Sequence, residues 1–133
     1  MFLILGALAA IAIPAFLGQR SKANDSKAKA EVRLMATTIE TCRTENAGAT
    51  FAGCDITRLR QIESTIPADA DVPLFGAGSY VVQSSPADDT ENLFRIIKVE
   101  GQTSRDCTLG APAEAGGCNI GSQEAAEGVD GTW

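Results

Sequence analysis

The stretch that decides the fold is LGALAAIAIPAFLGQR, residues 5–20, in which an apolar run gives way to charged residues. Residues 1–17 contain no charged or polar side chain. As an α-helix they measure roughly 25 Å at about 1.5 Å per residue, slightly less than the bilayer's hydrocarbon core of about 30 Å. Pro14 lies inside this run, although proline removes a backbone N–H and strains a helix. The run therefore predicts a membrane-compatible helix in which Pro14 removes one backbone hydrogen bond.

Downstream of the run, residues 18–47 keep the helical period and become amphipathic. Apolar residues recur every three or four positions, which places them on one face of a helix; this stripe consists of Ala28, Val32, Met35, Ile39 and Cys42. Asn46 and Gly48 are residues that often end helices. We therefore expect one long N-terminal helix. Its apolar half, residues 1–17, projects, and its amphipathic half packs on a globular head formed by residues 48–133.

The sequence of the head predicts a short helix and three strands. Asp55 is a favoured N-cap residue, and apolar residues follow it at helical spacing, at Ile56, Leu59 and Ile62. Strand patterns occupy residues 79–84, 92–100 and 104–109. Short connections favour antiparallel pairing in chain order. The expected fold class is α+β, a long N-terminal α-helix packed on a small antiparallel β-meander.

The remaining segments of the head predict irregular structure. Pro67 and Pro73 predict an extended connection, residues 76–78 (Gly-Ala-Gly) predict a turn, and residues 101–102 predict another. The tail after Gly110 is rich in glycine, alanine and acidic residues and has no apolar period. We expect this tail to be ordered only if a disulfide holds it, and Trp133 either to dock on the head or to fray.

Charge and composition exclude several functions. The net charge is −6 over 133 residues, and it divides into +3 for residues 1–33 and −9 for residues 34–133. An acidic head argues against direct binding of nucleic acid. The chain has no histidine, which removes the commonest general base and metal ligand and excludes Ser-His-Asp and Cys-His catalysis. Catalysis by carboxylates alone remains open, but no other feature of the sequence points to it, so we predict a protein that is not an enzyme.

Four cysteines are present, Cys42, Cys54, Cys107 and Cys118, and none lies in a C-x-x-C motif. An even number beside a membrane-compatible N-terminus favours two disulfides formed in an oxidising compartment. Three pairings are possible, and four free thiols are the alternative. We favour the local pairing, Cys42 with Cys54 and Cys107 with Cys118, in which each bond closes a loop worth about 3 kcal/mol in the chain-entropy model.

The apolar helix GALAAIAIPAFL, the charged half GQRSKANDSKAKAEV and a small disulfide-stapled head together resemble a type IV pilin. The segment IETCRTENAGATFAGC resembles pilins of Gram-positive bacteria, the actinobacterial kind in particular. The N-terminal match covers about 35 residues, and type II secretion pseudopilins share it. Mature pilins typically begin with an aromatic residue and a nearby glutamate. Here Phe2 is followed by LIL, so we expect the given sequence to lack about eight N-terminal residues.

The resemblance implies a structural subunit of a type IV pilus, self-associating in a helical homopolymer on the cell surface. The chain would wait in the cytoplasmic membrane, be processed by a prepilin peptidase and be added by the pilus assembly machinery. The resemblance implies filament contacts by apolar residues of the first segment: Phe2, Leu3, Ile4, Leu5, Gly6, Leu8, Ile11, Ile13, Pro14, Phe16 and Leu17. Lys22, Lys27, Lys29 and Arg33 would pair with acidic heads of neighbouring subunits.

Two alternatives to a major pilin remain, and calcium remains as a possible cofactor. The alternatives are a type II secretion pseudopilin, and a minor pilin or membrane-anchored binding module on the cell surface. Some pseudopilins hold calcium, and this chain has acidic residues near two predicted turns, at Asp69, Asp71, Asp88, Asp89 and Glu91. Their spacing does not match an EF-hand loop, so we expect no cofactor, with calcium as the lesser alternative.

Overall fold

The described parts of the chain, in a computed structural model, form one long helix, one short helix and an antiparallel sheet. The structure describes residues 2–86, 92–110, 117–121, 128 and 130–133, and within the first helix it describes side chains at Gln19 and from Lys22 onward. The elements are α1 (Phe2–Glu45), α2 (Ile56–Ile62), β1 (Asp71–Phe75), β2 (Tyr80–Ser84), β3 (Leu93–Val99), β4 (Gln102–Thr108) and β5 (Asp130–Gly131). The predicted α+β class is confirmed.

The helix α1 contributes its apolar stripe to the core of the head. All five stripe residues, from Ala28 to Cys42, are at most 1% exposed. The helix backbone continues through Pro14 and ends at Glu45, one residue before the predicted stop. The side chains of residues 1–17 lie outside the described residues. Among the residues that are described, no helix is both long and apolar enough to cross a membrane.

The sheet has the strand order β1-β2-β3-β4-β5, with every neighbouring pair antiparallel. This order confirms the predicted meander. Because successive residues of a strand face opposite sides, one face of the sheet carries the buried residues that meet α1. These residues are Tyr80, Val82, Phe94, Ile96 and Cys107. The other face has an apolar row in which Val81 pairs with Ile97 and with the half-exposed Leu74.

Two strands were not predicted. The segment that includes Pro73 was expected to be a connection, but it forms β1. A proline fits there because β1 is an edge strand and its register with β2 shifts between Asp71 and Leu74. The strand β5 lies in the tail, whose composition gave no strand signal. It pairs with β4 through Cys107 opposite Gly131.

The turn between β3 and β4 lies one residue earlier than predicted. Glu100 and Gly101 have φ angles of 51° and 85°, the left-handed pair of a type I′ hairpin turn. Gln102 therefore begins β4 instead of completing the turn. Asparagine or glycine is the usual residue at the first of these positions, so Glu100 occupies a left-handed conformation at some cost.

The predicted short helix and its cap are confirmed. Asp55 accepts a hydrogen bond of 2.8 Å from the backbone N–H of Arg58, as an N-cap residue does. Leu59 is fully buried and anchors α2 to the core. Asn46 organises the loop before α2, since its side-chain amide donates to the carbonyls of Thr50 and Ala52 at 2.9 Å.

Candidate functional site

A buried polar cluster around Asp25 lies where α1 first packs on the head. Asp25 is 1% exposed, and it accepts a hydrogen bond of 2.6 Å from the backbone N–H of Gly117. The side-chain amide of buried Asn92 lies 3.5 Å from the other oxygen of Asp25, and Asn92 in turn accepts from the N–H of Gly110 at 3.1 Å. A carboxylate on α1 thereby holds both the start of β3 and the C-terminal disulfide loop.

Gly117 has no room for a side chain. A Cβ built on it would lie 2.5 Å from the ammonium nitrogen of Lys29 and 3.2 Å from the Cβ of Asp25. The same ammonium donates a hydrogen bond to the carbonyl oxygen of Gly117. Burial lowers the pKa of Lys29; the charge of Asp25 opposes that shift, and the charge of Arg33 adds to it.

The four cations predicted to make inter-subunit contacts have different environments. Lys22 and Lys27 are exposed, and Lys27 lies 3.7 Å from Glu31 on the same helix face. Lys29 is directed inward to Gly117. Arg33 is exposed, and its guanidinium carbon lies 5.1 Å from the ring centroid of Trp133. Their role between subunits stays a prediction.

Trp133 docks on the head instead of fraying. Its indole N–H donates to the carbonyl of Asp106 at 2.7 Å, and its ring meets Phe94 edge-on with centroids 6.1 Å apart. Three cations lie within cation–π distance of this ring: Lys29 at 5.7 Å, Arg33 at 5.1 Å and Arg105 at 5.5 Å. No sequence pattern marks Arg105, because β4 brings it to Trp133 only through the sheet register.

Both predicted local disulfides are present, Cys42 with Cys54 and Cys107 with Cys118. Among the described residues no cysteine is free. The first bond ties the end of α1 to the loop before α2. The second ties β4 to the tail, where Asn119 and Thr132 exchange backbone hydrogen bonds of 2.8 and 2.9 Å. The described tail residues 117–121 and 130–133 are therefore held to the sheet by this cross-link and these hydrogen bonds.

Glu40 is the centre of a second polar cluster at the opposite end of the packed half of α1. It forms a short ion pair with Lys98 and a longer one, 3.5 Å, with Arg43. Tyr80 is 3% exposed, and burial, the charge of Glu40 and a hydrogen bond to Glu40 together raise the pKa of Tyr80 to about 12. Sequence reasoning did not single out Glu40, because its partners are remote in the chain.

We expect the phenol of Tyr80 to titrate near pH 12 in the folded chain and near pH 10 in the unfolded chain. Tyr80 is the single tyrosine, so phenolate absorbance against pH reports it directly. Because the folded pKa is raised, its contribution to stability is complete below about pH 10 and is lost as pH rises toward about 12. Glu40→Gln should lower the pKa of Tyr80 in the folded chain but leave it above 10, since the burial of Tyr80 remains. Titration of the folded wild type near pH 10 would contradict this arrangement.

A cleft of about 270 Å³ opens beside the Glu40 cluster, between the β1–β2 and β3–β4 turns. It is lined by Arg43, Phe51, Ala77, Gly78, Lys98, Glu100 and Gly101. Arg43 and Lys98 both lie over the ring of Phe51, at 5.3 and 5.7 Å. The cleft therefore offers two cations and one carboxylate to a small polar ligand.

Other predicted site residues are described only in part. The side chains of the apolar filament residues, from Phe2 to Leu17, lie outside the described residues. Of the calcium candidates, Asp69 and Asp71 are exposed, and Asp88, Asp89 and Glu91 lie outside the described residues. Within the described ranges no three acidic or cysteine side chains are grouped closely enough to hold a metal ion.

Comparison with known proteins identifies no relative. No protein-family model matches the chain, and no curated protein or solved structure matches it either. A proposal for the function therefore depends on the chain's own residues and on the resemblance of its N-terminal pattern to type IV pilins.

Proposed function

We propose that the chain is a structural subunit of a type IV pilus and polymerises through its N-terminal apolar segment. The observation that carries the proposal is the continuity of α1 from Phe2 to Glu45. Its first half includes sixteen uncharged apolar residues, and its second half packs on the head, where α1 first contributes to the apolar core at Ala28. One continuous helix thus joins an apolar segment to a folded head.

The apolar segment suits both a membrane and a filament interior. Gly6 and the alanines allow helices to approach closely, and the larger residues bury area worth about 25 cal/mol per Å². Pro14 removes one backbone N–H, so a local opening between Gly6 and Pro14 in the filament lets the helix bend as it packs among its neighbours. The two disulfides fit assembly on the outer side of the cytoplasmic membrane.

The cleft beside Glu40 favours a second candidate, a minor pilin or membrane-anchored binding module. Its two cations, Arg43 and Lys98, and the carboxylate of Glu100 could hold a small polar ligand. A minor pilin would occur at low copy number at filament tips, whereas a major subunit occurs along the whole filament. Immunogold labelling of the head along surface filaments distinguishes the two.

Substituting Ile11 with aspartate should abolish surface filaments, because a charge in the apolar segment costs about 2.5–3.5 kcal/mol on insertion scales. The measurement is the amount of this chain in filaments sheared from cells that produce it. Thr41→Asp is the matched control, since it adds the same charge to the same helix at an exposed position of the packed half, away from Arg33. Normal filament yield from Ile11→Asp would reject polymerisation through this segment.

A further inference from the structure

One edge of the head carries unpaired positive charge. Arg33 and Arg105 are exposed, both lie against the ring of Trp133, and neither forms an ion pair within the described residues. The acidic residues closest to them along β4 and β5 are otherwise engaged, since Asp106 and Asp130 lie 2.6 and 3.5 Å from Arg95. We call Arg33, Arg105 and Trp133 the basic edge. Like charges held together on an acidic protein favour binding of an anionic partner.

The opposite edge of the sheet carries unpaired negative charge. β1 is the first strand of the order and β5 the last, so Asp71 in β1 lies across the sheet from the basic edge. Asp69 and Asp71 are exposed, and neither forms an ion pair in the described part of the chain. The half-buried cation on this side, Arg60, donates to backbone carbonyls at Pro67, Ala68 and Ala70. We call Asp69 and Asp71 the acidic edge.

We propose that the basic edge of one subunit binds the acidic edge of a second copy of this chain. The inference rests on the proposed function and names the head-to-head contact within the filament. The two surfaces differ and lie at opposite edges of one sheet, so the contact is heterologous. A heterologous contact that does not close generates an open helical polymer, which is the geometry a pilus needs.

Side-chain pairing suits these edges better than strand addition. Pro73 lies in the middle of β1 and lacks an N–H, and the register shift beside it interrupts the edge. A second sheet therefore cannot extend β1 by regular pairing. Guanidinium groups of Arg33 and Arg105 can instead bind the two carboxylates through paired hydrogen bonds. Because all four charges are exposed, the contact should weaken as salt concentration rises.

A charge-exchange experiment on the full chain tests the contact in filaments on producing cells. Arg33→Glu with Arg105→Glu should lower the yield of sheared filaments at least about tenfold, because like charges then face each other across the contact. Asp69→Lys with Asp71→Lys should do the same. Combining all four substitutions restores opposite charges and should recover the yield. The single variants Arg33→Glu and Arg105→Glu are compared with Arg58→Glu, which changes the net charge by the same amount at an exposed residue of α2.

The outcomes separate this inference from the proposed function. Absence of filaments from the wild type would reject the pilus subunit itself. Filaments from the wild type, with undiminished yield from both reversed pairs, would reject the contact alone. Failure of the combined variant to recover, despite intact disulfides and a wild-type far-UV circular dichroism spectrum, would also reject it. As a second measurement, a chain carrying Asp69→Cys and Arg105→Cys should form covalent ladders with a short bis-maleimide in intact filaments. The absence of ladders would also overturn the contact.

Discussion

Phe94→Ala is expected to lower the free energy of unfolding by about 3–5 kcal/mol, the usual cost of removing a buried phenylalanine side chain. Phe94 is fully buried and lies opposite Cys107 in the sheet. Its ring meets Trp133 edge-on, and the ammonium nitrogen of Lys29 lies 5.1 Å from the ring centroid. Truncation therefore removes packing at the junction of α1, the sheet and the docked C-terminal tryptophan.

Chemical denaturation of the full chain in detergent, followed by the fluorescence of its single tryptophan, measures this loss. Phe75→Ala is the matched control, because Phe75 lies at the sheet edge and is 38% exposed. This control should lower the free energy of unfolding by less than half as much as Phe94→Ala. Equal losses from the two variants, or a loss from Phe94→Ala below about 1 kcal/mol, would contradict the assigned centre of the core.

Replacing Cys107 and Cys118 together by alanine is expected to cost about 2–5 kcal/mol and to release Trp133 from the head. The bond holds the tail against β4, and Gly131 lies so close to the bond that a Cβ would be 2.9 Å from the Sγ of Cys118. Without the bond, the backbone pairing of β5 with β4 spans just two residues. The tail then gains conformational entropy on release, and Trp133 leaves with it.

The matched control is the paired removal of Cys42 and Cys54, which close a loop of similar length. We expect a comparable loss of stability but an unchanged tryptophan environment, because that bond lies at the other end of the packed helix. Tryptophan emission should shift to longer wavelength in the first variant only. A shift in both variants, or in neither, would contradict the assignment of the second disulfide as the anchor of the tail.

The parts of the fold that were predictable are those with a local physical signature. The stripe from Ala28 to Cys42 has the helical period, and Asp55 caps α2 through its own side chain. The strands β2 and β3 carry β-branched and aromatic residues between turn residues. In each case the signal lies within a few residues of the structure it produces.

The parts that were missed depend on contacts between remote residues. β1 forms around Pro73 because an edge strand leaves one side without hydrogen-bond partners, and only the completed sheet makes it an edge. β5 forms because Cys118 brings the tail to β4. The cluster at Glu40 and the basic edge at Trp133 each join residues from α1 and the sheet, 58 residues apart for Glu40 and Lys98. No local pattern encodes such pairs.

The most direct test of the central claim is a helical reconstruction of filaments sheared from cells that produce this chain, with mass spectrometry of the same preparation. We predict that the chain is the main protein, and that the first halves of α1 pack along the filament axis with the heads outside. The backbone between Gly6 and Pro14 should depart from continuous α-helical hydrogen bonding. Absence of the chain from purified filaments, or filaments assembled through the heads alone, would contradict the account.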